Sequence, residues 1–317
     1  MEMSARNITE LYPELLALLL FKGRRINSRG MDVLEITNFT FTLQDVARPL
    51  VLQEKRKLNY AYAVLEPFLL TMPQTYATVE ACKFYAGKFL GENVIDPRTE
   101  KMHGFYGDRI NWNGRNQLLE IFEILKEDPG SRRAVMTIHD SKQELFSDYE
   151  SLDTPCTLEL QFMIRRGQLD CFVNMRGNDA MLGTPQNVPM WTFFQRMLAY
   201  WLQVPTGQYI HHVNSMHLYK RDVEKAEDIV RYSGNLAEEY QIPLTWEISN
   251  PLTSLKMCEK FVENERSYRE TGKTKHEMPS FLGILFGTFI KPKIYSKKQQ
   301  AMKRMGNPYA SLRRNDS

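Results

Sequence analysis

Four short motifs follow one another between residues 153 and 219: Asp153-Thr154-Pro155-Cys156-Thr157, Asn174-Met175-Arg176-Gly177-Asn178-Asp179, Gly183-Thr184-Pro185-Gln186-Asn187 and His217-Leu218-Tyr219. Residues 157–165 and 169–175 alternate apolar and polar side chains and read as two strands joined across Arg166-Gly167-Gln168, a hairpin-type turn. Cys156 therefore stands at the foot of a strand, with Pro155 fixing the chain's approach and the strand giving the sulfur a rigid base. A lone cysteine is more often a buried structural residue than a nucleophile, so Cys156 gains its interest from what surrounds it. Arg176 ends the second strand beside a tight Gly-Asn-Asp turn, and a guanidinium fork there suits an anion such as phosphate, binding two oxygens at once without ever losing its charge. Asn187 offers one acceptor and one donor to a ring edge. His217 and Tyr219, two apart on a strand, point to one face.

Outward from this stretch the pattern is α+β. Residues 8–22 have helical apolar spacing, and 32–43 alternate as a strand. Helices are expected over about 56–71 and 76–91, a Gly/Asn/Asp/Pro-rich loop region over 92–115, an amphipathic helix over 117–126 and a strand over 134–139. Residues 189–202 form a helix apolar on almost every side, hence buried. Residues 220–233 read as helical, 244–252 as extended and 255–269 as helical. No internal repeat or linker breaks residues 8–290. One domain over 1–290 with a large mixed sheet is the simplest reading, followed by a basic, mobile or surface-laid tail over 291–317 with eight Lys or Arg against one acid.

Composition narrows the class. A net charge of +3 is too small to argue for nucleic-acid binding and suits a small anionic substrate held in a cleft. Cys82, Cys156, Cys171 and Cys258 are scattered with no CxxC pair, which fits neither a zinc site nor a disulfide framework and points to a reduced, cytoplasmic protein. The apolar run over 15–21 is too short to span a bilayer and lacks the flanks of a signal peptide, so no membrane association is expected. Glu66 is an acid alone in the apolar stretch Ala63-Val64-Leu65-Glu66-Pro67-Phe68-Leu69-Leu70; it is either a helix-end acid facing solvent or a buried carboxyl with a raised pKa, fit for acid/base work. Tyr106 sits in the Gly-flanked Gly104-Phe105-Tyr106-Gly107, a setting equally common for simple packing. Ser131-Arg132-Arg133 precedes a strand and in isolation reads as a solvated end.

In this order the motifs resemble the thymidylate synthase family, strongly over 128–222 and loosely over 15–295, and within it the pyrimidine-nucleotide hydroxymethylases. The resemblance implies a thymidylate-synthase-like fold, a homodimer, a pyrimidine nucleoside monophosphate substrate and 5,10-methylenetetrahydrofolate as co-substrate, with no metal. It makes Cys156 the nucleophile at ring carbon C6, Glu66 the catalytic glutamate despite Pro67 after it, and Tyr106 the residue that helps remove the C5 proton. It puts Arg176, Arg132 and Arg133 around the 5′-phosphate, the adjacent pair from the other subunit, with Arg25 or Arg29 as the candidate from an N-terminal loop. His217 and Tyr219 would bond the sugar 3′-hydroxyl, Asn178 and Asp179 would line the nucleotide site, and Asp179, Gly183 and Ser215 the folate side.

Asn187 keeps the amide of the uracil-using enzymes, where the deoxycytidylate hydroxymethylase has an aspartate; the amide complements N3–H and O4 of uracil, which favours dUMP, with CMP, dCMP and UMP behind it. Methylating relatives usually have Pro-Cys-His, Gln-Arg-Ser and Asp-Thr-His-Leu-Tyr. Here Thr157, Gly177 and Ser215 replace the histidine, the serine and the aspartate, and Asn315-Asp316-Ser317 lacks an apolar terminus that would close over folate. Gly177 also opens space near the sugar. The expected reaction is thus C5-hydroxymethylation, in which water rather than hydride completes the transfer, of use in phage DNA modification or nucleoside-antibiotic synthesis alike. The alternatives are a methylating thymidylate synthase with drifted motifs, and a catalytically silent nucleotide- or RNA-binding relative.

Overall fold

The computed structural model describes residues 1–28, 30–87, 94–96, 99–146 and 153–304, without the side chains of 299 and 301–304. Arg29 and residues 305–317 lie outside the described residues. Its centre is one mixed sheet. Strands β1 (Glu2–Ala5), β2 (Arg24–Ser28) and β3 (Met31–Leu43) come from the N-terminal part, and β4 (Ile95–Asp96) and β5 (Lys101–Met102) form a separate small ladder. The sheet continues with β6 (Val135–Thr137), β7 (Thr157–Arg165), β8 (Gln168–Met175), β9 (Asn178–Asp179) and β10 (Thr206–Tyr219). Its main path runs β1-β3-β10-β8-β7-β6, with β2 on β3 and β9 on β10. The pairs β1/β3 and β10/β8 are parallel, while β3/β10, β7/β8 and β6/β7 are antiparallel. This is the α+β arrangement with a large mixed sheet that the pattern called for.

The β7/β8 hairpin turns through Arg166 (φ 54) and Gly167 (φ 72). Two positive-φ residues are what a two-residue turn needs to match strand twist. The hairpin register pairs Thr157 with Met175, so Cys156 and Arg176, one residue beyond each, meet at the same end of the sheet. Helix α1 (Ile8–Lys22) starts at Asn7, whose side chain accepts from the Glu10 N–H, and buries Leu11, Leu15 and Leu19 along one stripe. Helices α2 (Tyr60–Leu70) and α3 (Tyr76–Ala86) are shorter than the sequence suggests. Lys57 in left-handed geometry separates a single turn over Glu54–Arg56 from α2, and Gly87 at φ 58 stops α3.

Among its described residues the loop region carries the short helix α4 (Tyr106–Ile110) and a single tighter helical turn over Trp112–Gly114; α5 (Gln117–Glu127) is capped by Asn116, and α6 is Ser141–Glu144. Helix α7 (Thr184–Trp201) begins five residues before the expected start, with Pro185 in its first turn, and buries Trp191, Phe194, Met197 and Leu198 against the sheet. Each such side chain contributes about 1.5–3 kcal/mol relative to exposure. Of residues 244–252, expected to be extended, 244–250 join no ladder and 251–252 already belong to α9 (Pro251–Thr271); α8 (Val223–Arg231) precedes them. After α10 (Ser280–Leu285) the chain continues helically into α11 (Lys291–Arg304). Ile294 there is 1% exposed, so over this stretch the tail, expected to be mobile or laid on the surface, is a helix docked through that side chain.

Candidate active site

A cavity of about 230 Å³ at the end of β7 and β8 is walled by Glu66 from α2, Tyr106 from α4, Asp153 to Cys156 from the loop before β7, and Gln186, Asn187 and Met190 from α7. The structure therefore unites Cys156, Glu66, Tyr106 and Asn187, which are as much as 121 residues apart in the chain.

Arg176 is held in place before any ligand arrives. Its Nε donates to the Pro155 carbonyl at 2.8 Å and its Nη2 to the Thr154 carbonyl at 2.9 Å, and Nη2 also lies 3.6 Å from Cys156 Sγ. A fixed cation beside a sulfur favours the thiolate. The sequence read Arg176 as a phosphate group; part of its fork is in fact committed to the loop that carries the cysteine. The Tyr106 hydroxyl accepts from the N–H groups of Cys156 (3.2 Å) and Thr157 (3.3 Å), and its ring stacks on Trp191 at 5.5 Å. Burial, with Cys156 nearby, pushes this phenol up to about 12, so it keeps its proton at neutral pH.

Glu66 is half-buried in the cavity wall, one turn after Tyr62, whose hydroxyl lies 3.8 Å from Cys82 Sγ. Burial pushes the carboxyl up to about 7; the nearby Tyr62 hydroxyl pulls the other way and is outweighed. Pro67 is accommodated inside α2. Gln186 Oε1 is buried without a hydrogen-bond partner among the described residues. Neither Tyr62 nor Gln186 was singled out from sequence, although Tyr62 stands at i−4 from Glu66, a spacing that puts the two on one helix face.

Asn187 Nδ2 donates to Asn178 Oδ1 at 3.2 Å and lies 3.5 Å from Met175 Sδ. Asn178 is 2% exposed with both ends of its amide engaged, so it supports Asn187 from behind and does not face a substrate. Gly183, expected on the folate side, has a different reason to be glycine: a Cβ there would stand 2.2 Å from Asn178 Oδ1. Asp179 Oδ1 accepts from the N–H groups of Met181 (2.7 Å) and Leu182 (3.2 Å), and burial raises its pKa. The Ser215 hydroxyl donates to Glu35 on the neighbouring strand at 2.5 Å, so Glu35 belongs with it.

His217 and Tyr219 share a face as expected, with rings edge-to-face at 5.3 Å. An added Cβ at Gly177 would meet His217 Cε1 at 3.8 Å, an ordinary contact, so glycine leaves room beside that imidazole rather than relieving a clash. Arg132 and Arg133 are exposed at the start of β6 and do not line the cavity. Arg25 lies on β2 in another cleft, with Val33 and Lys220. Among the described residues, no group of three or more His, Cys, Asp or Glu is placed to hold a metal ion, and no helix is long and apolar enough to cross a membrane.

Comparison with known proteins identifies the family. The thymidylate synthase family model matches residues 12–264. A deoxyuridylate hydroxymethyltransferase of Bacillus phage SP01 is 26% identical over 265 residues, 79% of this chain and 69% of that protein. A thymidylate synthase of Bacillus licheniformis is 29% identical over 138 residues, 43% of this chain and 46% of that protein. The solved thermostable thymidylate synthase A from Bacillus subtilis superposes with a TM-score of 0.56 at 20% identity, covering 71% of this chain and 84% of that one, which speaks for the fold. This chain belongs to the thymidylate synthase family and is a folate-dependent one-carbon transferase.

Proposed function

We propose that this enzyme is a pyrimidine nucleoside monophosphate C5-hydroxymethylase with dUMP as its preferred nucleotide. The observation that carries the reading is a carboxyl in the same cavity as Cys156: Glu66, with its pKa near 7, gives an acceptor for a proton of a water molecule. The phage deoxyuridylate hydroxymethyltransferase, similar over 79% of the chain, supports the same choice.

The residues divide the work as follows. The Cys156 thiolate, steadied by Arg176, adds to C6 of the base, and C5 becomes a carbon nucleophile. The co-substrate, 5,10-methylenetetrahydrofolate, supplies the one-carbon unit. Loss of the C5 proton and of tetrahydrofolate leaves an exocyclic methylene. Water held by Glu66 adds its oxygen there, Glu66 takes the proton, and the Cys156–C6 bond breaks to return the thiolate. Nothing is oxidised, so tetrahydrofolate rather than dihydrofolate is the second product. Asn187 reads the base edge, and His217 and Tyr219 hold the sugar. Arg132 and Arg133, exposed on one chain, would reach the phosphate site of a second copy in a homodimer.

Mass spectrometry of products from dUMP, dCMP, UMP and CMP with 5,10-methylenetetrahydrofolate tests this. The expected product is heavier than its substrate by one formaldehyde unit, with tetrahydrofolate released. A product heavier by one methylene, with dihydrofolate formed, makes the enzyme a thymidylate synthase; no product from any nucleotide favours a silent binder.

Asn187→Asp carries a second expectation. A carboxylate cannot donate to O4 of uracil and can accept from the cytosine amino group, so the ratio of kcat/KM on dUMP to that on dCMP should fall by at least about tenfold. An unchanged ratio removes Asn187 as the base reader.

A further inference from the structure

Behind Asn187 runs a line of buried polar side chains that the chemistry above leaves unused. The far end of the Asn178 amide lies 3.0 Å from His211 Nε2, and His211 Nδ1 lies 2.7 Å from the Tyr209 hydroxyl. His211 and Tyr209 are 0% exposed, so solvent does not compete for these groups. The ring of His211 is also stacked on Phe41 at 4.7 Å, which fixes its plane.

Burial pushes His211 down to about 3, so the imidazole is neutral and carries a single ring proton. One nitrogen then donates and the other accepts. With Asn178 Nδ2 facing Nε2, the proton belongs on Nδ1, which donates to the Tyr209 oxygen. The other tautomer would set Nε2–H against the Asn178 amino group and force that amide over. Asn178 would then present Nδ2 to Asn187 and force the second amide over too. Each amide has one donor end and one acceptor end, so the two turn together or not at all. Turning Asn187 would also exchange its amino group, 3.5 Å from Met175 Sδ, for an oxygen facing the lone pairs of sulfur.

We propose that Tyr209, His211 and Asn178 are positioning residues that hold the direction of the Asn187 amide, and thereby decide whether the site accepts a uracil or a cytosine nucleotide. The inference rests on Asn187 reading the base. Uracil offers a donor at N3 and an acceptor at position 4; cytosine offers an acceptor at N3 and a donor at position 4. For a base held in one pose, turning the Asn187 amide exchanges the pattern it matches. Selectivity is then adjustable from Tyr209, with Asn187 itself unchanged.

The test uses the intact protein without folate. Dissociation constants for dUMP and dCMP are measured in wild type and in Tyr209→Phe, and the ring nitrogens of His211 in wild type are assigned by ¹⁵N NMR. Tyr209→Phe leaves Nδ1–H without an acceptor and moves the proton to Nε2. The expected results are an Nδ1–H tautomer, and a dUMP-over-dCMP preference that falls at least about tenfold in the variant. A purely structural role would weaken both nucleotides alike and leave the ratio untouched. An Nε2–H tautomer in wild type, or an unchanged ratio in Tyr209→Phe, overturns the proposal; should the variant not fold, the wild-type ring signals still decide. Equal wild-type affinity for the two nucleotides would sink the base-reading role of Asn187 and this inference with it. A methylated product, by contrast, would overturn the hydroxymethylase reading and leave the relay standing.

Discussion

Cys156→Ser is expected to lower turnover by at least about 10³-fold while leaving dUMP affinity within about threefold of wild type. The sulfur is the atom that bonds to C6, and a serine hydroxyl in its place stays protonated beside the same arginine. The binding geometry does not depend on it. Arg176 is anchored by the carbonyls of Pro155 and Thr154 at 2.8 and 2.9 Å, and the turn itself is tied by the Tyr106 hydroxyl to two backbone N–H groups. Removing one sulfur leaves all of these in place. Product formation by mass spectrometry and nucleotide affinity by calorimetry are the two readouts. Wild-type turnover in the variant would eliminate covalent catalysis through Cys156, and loss of affinity together with turnover would make the cysteine a structural element of the loop.

Much of this arrangement follows from local pattern. Alternation and the turn at Arg166-Gly167 make the β7/β8 hairpin legible in the sequence, but the register that brings Cys156 beside Arg176 passes through a bulge between Thr157 and Glu159, which no local pattern marks. The i, i+2 spacing that places His217 with Tyr219 also relates Tyr209 to His211, so the buried pair was open to the same reading. What the pattern could not carry was the partner. Nothing local says that Arg176 bonds two carbonyls, that Ser215 meets Glu35 across β3, or that Asn178 faces inward. Residues 244–250 have strand-like composition but pair with no strand, and β propensity without a partner makes no ladder. Lys291–Arg304 reads as mobile or surface-laid because its polar residues outnumber its apolar ones; a single buried side chain, Ile294, docks a helix that continues from α10.

Glu66→Gln should cost about 10²–10⁴-fold in kcat, the range for losing one positioned acid/base group, with nucleotide affinity nearly unchanged. Glutamine keeps the shape and an acceptor oxygen but cannot take a proton from water. In the wild type, water addition needs the carboxylate, so kcat should rise with pH through about 7, the value to which burial pushes Glu66; the residual rate of the variant should lack this step. The same shift has a signature in stability. The carboxyl holds its proton in the folded protein up to about 7, against an ordinary value of 4.5, so between those limits the folded state binds the extra proton. Its contribution to stability is full below 4.5 and is lost as pH rises through about 7. Wild type should therefore lose more thermal stability than Glu66→Gln between about pH 5 and pH 8, since glutamine carries no charge to desolvate. Melting curves of both proteins across that interval supply the check. Parallel curves would mean that Glu66 titrates normally and is not the buried base. A wider spread in stability with no loss of rate would leave Glu66 as part of the cavity wall and not the base.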